Sequence, residues 1–102
     1  MTDTFDVTVD PREFSRAPPA HQRKLRTLAR QLQTRPFLGE KIRAELIPPR
    51  FRTLPNLHRL ALSDGWRALY TVATHPTEGR EVRIVFIGDH KRYDRLFGYQ
   101  SS

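Results

Sequence analysis

The sequence contains no cysteine and only one methionine and one tryptophan. The lack of cysteine excludes disulfide bonds and thiolate metal sites, and it fits a reducing compartment. No apolar run is long enough to span a membrane, and the first residues lack the basic start of a secretory signal. We therefore expect a cytoplasmic protein without a membrane partner. Because 37% of the residues are hydrophobic, residues 1–102 are expected to form a single domain with a modest core.

Acidic residues are also scarce. There are 11 of them against 18 lysines and arginines, so the net charge is +7. The excess lies between residues 12 and 59, which contain twelve of the basic residues and three of the acidic ones. Such a basic half is typical of a surface for nucleic acid or for an acidic protein, and a face that only aids solubility is the alternative.

The first half of the sequence predicts a strand and two helices. Residues 5–9 alternate apolar and polar side chains, as a half-buried strand does. Asp10 is expected to cap a short helix with Pro11 at its first position. Residues 20–34 predict a helix most clearly, since one apolar stripe recurs with helical spacing. That stripe comprises Leu25, Leu28, Ala29 and Leu32.

The basic side of the predicted helix 20–34 is a candidate binding surface. Arg23, Arg26 and Arg30 lie off its apolar stripe. They are candidates for contact with phosphates or with an acidic partner, and the alternative is a helix made soluble by arginine. If a partner protein exists, an acidic or amphipathic segment of it is expected to lie over this helix or across an arginine-rich cleft.

The second half predicts strands. Residues 40–47 are expected to be helical, and the prolines at 48, 49 and 55 bracket a loop that carries Arg50 and Arg52. Strands are expected at residues 57–62, 66–74 and 81–87, with a hairpin turn at 63–65 and a loop at 75–79. The tail after Asp89 is expected to form a short helix or strand. Three strands with short connections predict an antiparallel meander, and hence an α+β fold with helices on one face of a small sheet.

Two motifs suggest a family. The first is Gly65-Trp66-Arg67-Ala68-Leu69-Tyr70, and the second ends the last strand as Gly88-Asp89-His90-Lys91-Arg92-Tyr93-Asp94. The first resembles a strand of the RelE/ParE toxin superfamily of bacterial toxin–antitoxin modules. The second resembles the ending of its HigB-like branch. The order of strand, helices and meander resembles that superfamily along nearly the whole chain.

This resemblance implies a RelE-like fold and the toxin of a type II toxin–antitoxin module. It implies a metal-independent endoribonuclease that cleaves mRNA, associated with the ribosome, held by a cognate antitoxin and using no cofactor. Arg67 matches the arginine used on the scissile phosphate, and His90 and Tyr93 match residues implicated in proton transfer. Some members have catalytic lysines where this chain has His58 and Arg59, so the identity of the general base stays open.

Metal-free RNA cleavage needs a base for the 2′-hydroxyl, cations for the phosphorane and an acid for the leaving 5′-oxygen. The guanidinium of Arg67 is suited to binding two phosphate oxygens, and His90 is the best single proton-transfer candidate because histidine commonly serves as a general acid or base. Tyr93 is a candidate acid or a platform for a base. The further candidates for RNA or phosphate binding are His58, Arg59, Lys91, Arg92, Arg50 and Arg52.

Each candidate has a structural alternative. Arg67 is also placed to pair with Asp64 or Asp89, and His90 is placed to cap the strand end through Asp89 or Asp94. Tyr99 is expected to be a core aromatic residue. The four histidines lack metal-ligand spacing, so no metal is expected. Two other functions stay open. One is a ParE-like toxin that inhibits gyrase, and the other is a non-catalytic module that binds nucleic acid or protein.

Overall fold

A computed structural model describes residues 4–75, 77 and 79–98 of the chain. The described residues form an α+β fold with one mixed sheet and three helices. In chain order the elements are β1 (Asp6–Val9), α1 (Pro11–Arg16), α2 (Pro19–Thr34), β2 (Glu40–Lys41), β3 (His58–Ala61), β4 (Arg67–His75), β5 (Gly79–Gly88) and α3 (His90–Phe97). Residues 76 and 78 of the predicted loop, and Tyr99, lie outside the described residues.

The sheet has the strand order β1-β5-β4-β3-β2. Strand β1 pairs with β5 in parallel, and every other pair is antiparallel. The prediction of an α+β fold with one small sheet is confirmed. The predicted three-stranded meander is not matched in full, because β3, β4 and β5 form the middle of a five-stranded mixed sheet. The strands at its two edges are β1 and β2.

Helices α1 and α3 each begin after an aspartate whose side chain caps the helix. The side chain of Asp10 accepts hydrogen bonds from the backbone N–H groups of Arg12 and Glu13, with Pro11 as the first helical residue. Asp89 caps α3 in the same way through the N–H of Arg92, and Gly98 ends it at a φ of 75°. The tail after Asp89 is therefore a helix. No helix of the described residues has the length and apolarity needed to cross a bilayer.

Residues 40–47 are not the helix that was predicted. Glu40 and Lys41 form β2, opposite Arg59 and His58 of β3, and only the turn Ala44–Leu46 is helical, of the 3₁₀ type. Two causes act against a longer helix. Pairing with β3 supplies hydrogen bonds to the backbone at the start of the segment, and Pro48 disfavours the helical conformation of the residue before it.

The two faces of the sheet bury separate clusters. On one face α1 and α2 cover a cluster that includes Leu25, Leu32, Leu60, Ala68, Tyr70, Val72, Val82 and Ile84. The opposite face is covered by α3 and by the loop between β2 and β3, which we call the proline-rich loop, so the prediction that the helices lie on one face is wrong for α3. The cluster on this face includes Ile42, Ile47, Phe51, Leu57, Leu69, Phe86 and Tyr93. In α2, Leu25 and Leu32 are only 2% and 0% exposed, which confirms the predicted apolar stripe.

Asn56 replaces a missing strand on the edge of β4. Pairing between β3 and β4 ends at His58 and Tyr70, so Val72 has no strand neighbour on that side. The Asn56 side chain donates to the carbonyl of Val72 and accepts from its N–H, both at 2.8 Å. It also accepts from the hydroxyl of Thr71 at 3.2 Å. One amide group thus satisfies both backbone groups of Val72.

The substitution Asn56→Ala is expected to lower the free energy of unfolding by about 1–3 kcal/mol, because it leaves buried backbone groups without partners. Asn56→Asp keeps an acceptor for the Val72 N–H but sets a carboxylate oxygen against the Val72 carbonyl, so it should also be destabilising. Thr53→Ala, at an exposed position of the same loop, is the control. Urea unfolding measures all three. A change for Asn56→Ala within about 0.5 kcal/mol, as at an ordinary surface position, would contradict this role.

Candidate functional site: an arginine groove on the sheet

Strand alternation places two arginines on the face of the sheet that α3 covers. Arg59 of β3 lies opposite Leu69 of β4, and Ala61 lies opposite Arg67. Arg67 is therefore the diagonal neighbour of Arg59, and such neighbours typically lie about 7–8 Å apart. Both point to the side on which Leu69 packs, away from α1 and α2. Two long cationic side chains at this separation are able to reach one phosphate group.

Tyr93 of α3 contacts both arginines. Nη1 of Arg59 donates to the Tyr93 hydroxyl at 3.3 Å, and Cζ of Arg67 lies 5.6 Å from the centroid of the Tyr93 ring. The tyrosine is only 4% exposed, and its ring packs against Phe97 at 4.5 Å. A ring so covered has no free face on which a nucleobase stacks. The contacts instead assign Tyr93 the role of holding the two guanidinium groups.

Glu40 of β2 adds a carboxylate to the same place. Its Oε2 forms an ion pair with Nη2 of Arg59. The hydrogen bonds from Arg59 to Glu40 and to Tyr93 raise the pKa of this arginine. The Glu40 side chain is 71% exposed, so one carboxylate oxygen is open to a ligand. Glu40 was not among the predicted site residues, because residues 40–47 were expected to be helical and only the pairing of β2 with β3 brings it to Arg59.

These residues line a groove of about 340 Å³. Its lining consists of Leu38, Gly39, Glu40, Arg59, Leu60, Ala61 and Arg67, and we call it the arginine groove. The volume lies within the range of sites that bind small molecules or single groups of a larger ligand. Two guanidinium groups make the groove suited to an anion, and Glu40 provides a group that accepts a proton.

His90 lies beside the turn that leads into β4. It is the first residue of α3 and is exposed. A Cβ placed on Gly65 would lie 3.5 Å from Nδ1 of His90, and the carbonyl of Gly65 accepts a hydrogen bond from Nη1 of Arg67 at 3.4 Å. The imidazole and the guanidinium thus both reach Gly65. Within the described chain, Arg67 makes no ion pair with Asp64 or Asp89, and the Asp89 side chain caps α3 through Arg92.

His58 does not face the arginine groove. It stacks on Tyr70, its partner across the strands, at 5.1 Å between ring centroids on the face that α2 covers. His58 and Arg59 are neighbours in β3 and therefore point to opposite faces of the sheet. His58 is 3% exposed, so direct contact with a phosphate would require the local structure to open.

Arg92 points away from the groove. Its guanidinium binds the buried carboxylate of Glu13 at 3.0 Å and the carbonyl of Ile87 at 2.7 Å. This predicted phosphate ligand is therefore already engaged within the protein. Lys91, its neighbour in the first turn of α3, is exposed and remains a candidate for electrostatic contact with RNA.

The arginines of the proline-rich loop lie at other grooves. Arg50 stacks over the ring of Phe51 at 4.9 Å and lines a groove of about 410 Å³ with Arg83. Nε of Arg52 donates to the carbonyl of Ile47 at 3.3 Å. Neither arginine lines the arginine groove. They remain candidates only for RNA that extends beyond the groove.

Helix α2 carries an exposed basic surface. Arg23, Arg26 and Arg30 are exposed, and no ion pair of theirs occurs in the described part of the chain. Beside them runs a small apolar groove between α2 and β1, lined by Val7, Val9, Phe14, Leu25, Arg26, Ala29 and Ile84 among others. The Arg26 guanidinium lies over the Phe14 ring at 5.1 Å. The described residues contain no group of three or more acidic or histidine side chains arranged to hold a metal ion.

Comparison of the chain with the models of known protein families, with curated protein sequences and with solved structures finds no match.

His58 predicts a pH dependence of stability. Neither ring nitrogen has a hydrogen-bond partner within the described protein atoms. Burial, and secondarily the charge of Lys41, lower the pKa of His58 from the ordinary value of 6.5. The unfolded chain therefore takes up a proton at a higher pH than the folded chain does. Stability should be fully present above pH 6.5 and fall as the pH drops towards the lowered pKa.

The measurement is the thermal unfolding temperature at several pH values between about 4.5 and 7.5, the range over which an imidazole with a lowered pKa titrates. In His58→Phe the unfolding temperature should fall less at acidic pH than it does in the wild type. In His75→Phe, at an exposed histidine, the unfolding temperature should depend on pH as it does in the wild type. If the unfolding temperatures of His58→Phe and of the wild type depended equally on pH, the role of His58 in the acid destabilisation would be contradicted.

Proposed function

We propose that this protein is the toxin of a type II toxin–antitoxin module, with a RelE-like fold, and that it cleaves mRNA in the cytoplasm, in association with the ribosome. The observation that carries the proposal is the meeting of Arg59, Arg67 and Glu40 in one groove. The likeness of the segments around Arg67 and His90 to RelE/ParE and HigB-like motifs supports it. The position of both residues beside Gly65 also supports it.

The proposed reaction is a metal-independent transesterification. Arg59 and Arg67 bind the non-bridging oxygens of the scissile phosphate and stabilise the negative charge that grows on them in the transition state. Glu40 accepts the proton of the 2′-hydroxyl, whose oxygen attacks phosphorus. His90, in its protonated form, donates a proton to the 5′-oxygen as the P–O bond breaks. The products are a 2′,3′-cyclic phosphate and a 5′-hydroxyl.

Glu40 is the general base that we propose for this reaction. Its ion pair with Arg59 holds the carboxylate at the groove. Tyr93 contributes indirectly, because its buried hydroxyl fixes the other side of the Arg59 guanidinium.

Arg67→Ala is expected to reduce the rate of RNA cleavage by about 10²–10³-fold, the usual effect of removing one charge-stabilising donor. Glu40→Gln and His90→Ala should each reduce it by about 10²–10⁴-fold, since each removes a proton-transfer group. The matched controls are Arg83→Ala, an arginine at a different groove, and His75→Ala, an exposed histidine. The assay uses purified protein with labelled mRNA, alone and with translating ribosomes.

The same assay, run beside a gyrase supercoiling assay, separates the alternative functions. Full cleavage by Arg67→Ala would contradict the role of this groove. Intact RNA together with loss of gyrase supercoiling would indicate a ParE-like toxin. Salt-sensitive binding of RNA without any product would indicate a non-catalytic module.

We further propose that the cognate antitoxin binds over α2 through an acidic amphipathic segment. Helix α2 contains no acidic residue, so Arg23, Arg26 and Arg30 present an unbroken positive surface. The apolar groove between α2 and β1 lies directly beside Arg26 and suits the apolar side of such a segment. Charge complementarity and burial of apolar surface would then act at the same place.

The paired substitutions Arg26→Glu and Arg30→Glu are expected to weaken binding of the protein encoded beside this gene by about tenfold or more, because like charges then face each other. The control is the pair Arg43→Glu and Arg95→Glu, which changes the net charge equally at exposed positions outside α2. Titration calorimetry at two salt concentrations measures both. Equal affinities for the two double variants would argue against α2 as the docking surface.

A further inference from the structure

Glu13 is a buried carboxylate that joins three elements. It lies in α1 and is only 4% exposed. Its Oε1 accepts the N–H of Ile87 in β5 at 3.0 Å, and its Oε2 binds Nη2 of Arg92 in α3, also at 3.0 Å. Nη1 of Arg16 lies 3.5 Å from the same Oε2. A carboxylate is rarely this buried unless it is paired, so its contacts need an explanation.

Glu13 and Arg92 together take the place of a neighbouring strand at the edge of β5. Strand β1 ends at Val9, opposite Ile84, so the backbone of Ile87 has no strand neighbour on that side. Glu13 accepts from the N–H of Ile87, and Nη1 of Arg92 donates to its carbonyl at 2.7 Å. The Arg92 guanidinium also lies over the Phe86 ring at 4.8 Å. Arg92 is thereby fixed by an ion pair, a backbone hydrogen bond and a ring.

Fixing Arg92 also fixes the rotation of α3 about its axis. His90 precedes Arg92 by two residues, so it projects from the helix about 200° away, and Tyr93 projects about 100° beyond Arg92. When Arg92 is held against the β5 edge, His90 lies at Gly65 and Tyr93 lies under Arg59 and Arg67. The same anchor therefore sets the positions of both side chains.

We propose that Glu13, acting through Arg92, is a positioning residue that aligns α3 with the arginine groove. The catalytic part of this inference rests on the proposed nuclease function, whereas the anchoring of α3 does not. Glu13 itself lies within the protein and contacts no substrate. Its loss should therefore impair the alignment of His90 and Tyr93 while the sheet and the arginines on it stay folded.

The test uses Glu13→Gln, which keeps an acceptor for Ile87 and removes the charge that holds Arg92. Amide hydrogen exchange of residues 90–98 should accelerate by about tenfold or more, with residues 67–75 unchanged. In the cleavage assay kcat should fall by about tenfold to a hundredfold, because misplaced catalytic groups lower kcat, while KM changes by less than about twofold. Glu45→Gln, in an exposed ion pair with Arg43, is the control for both readouts.

Arg92→Lys provides a second variant should Glu13→Gln not fold. It keeps the positive charge and loses the bidentate geometry of the guanidinium, so the faster exchange and the lower kcat should both appear in weaker form. Unchanged exchange in α3 would overturn the anchoring, and faster exchange with unchanged kcat would overturn the positioning role. A wild-type protein that shows no cleavage while Glu13→Gln accelerates exchange would overturn the proposed function and leave the anchor standing.

Discussion

The two-residue period of β3 and β4 is the constraint on which the candidate site depends. His58, Leu60, Ala68 and Tyr70 enter the face covered by α1 and α2, so Arg59 and Arg67 must point to the other face. A slip of one residue in this register would bury both arginines and expose the core residues. The hydrophobic pattern of the two strands therefore protects the position of the arginines. The register of β3 against β4 thus determines both which residues form the core and where the two arginines lie.

Side chains, rather than strands, complete the sheet where its neighbours end, and they connect the site to the rest of the fold. Asn56 binds both backbone groups of Val72 on one edge, and Glu13 with Arg92 binds both groups of Ile87 on another. Each contact ties a segment distant in sequence to the central strands. The first ties the end of the proline-rich loop to β4, and the second ties α1 and α3 to β5. The contacts of Glu13 and Arg92 thereby hold α3 beside the groove.

Much of the fold follows from local sequence signals, whereas the chemistry of the site follows only in part. The Asp10–Pro11 start of α1, the apolar stripe of α2 and the turn before Arg67 depend on neighbouring residues, and these are visible in the sequence. The parallel pairing of β1 with β5 joins residues about 75 positions apart, for which no local signal exists. Glu40 was missed for a similar reason, since a two-residue strand has no periodicity. The burial of Tyr93 and the engagement of Arg92 by Glu13 are likewise consequences of tertiary packing.

The central claim is that Arg59 and Arg67 act together on one phosphate. The most direct measurement is a titration of ¹⁵N-labelled protein with a short RNA that carries a 2′-deoxy substitution at the scissile position, followed through the arginine Nε–H signals. The signals of Arg59 and Arg67 should shift together at the same RNA concentration, while that of Arg83, paired with Glu81, should stay in place. Shifts at Arg83 or at the arginines of α2, with Arg59 and Arg67 unchanged, would contradict this claim.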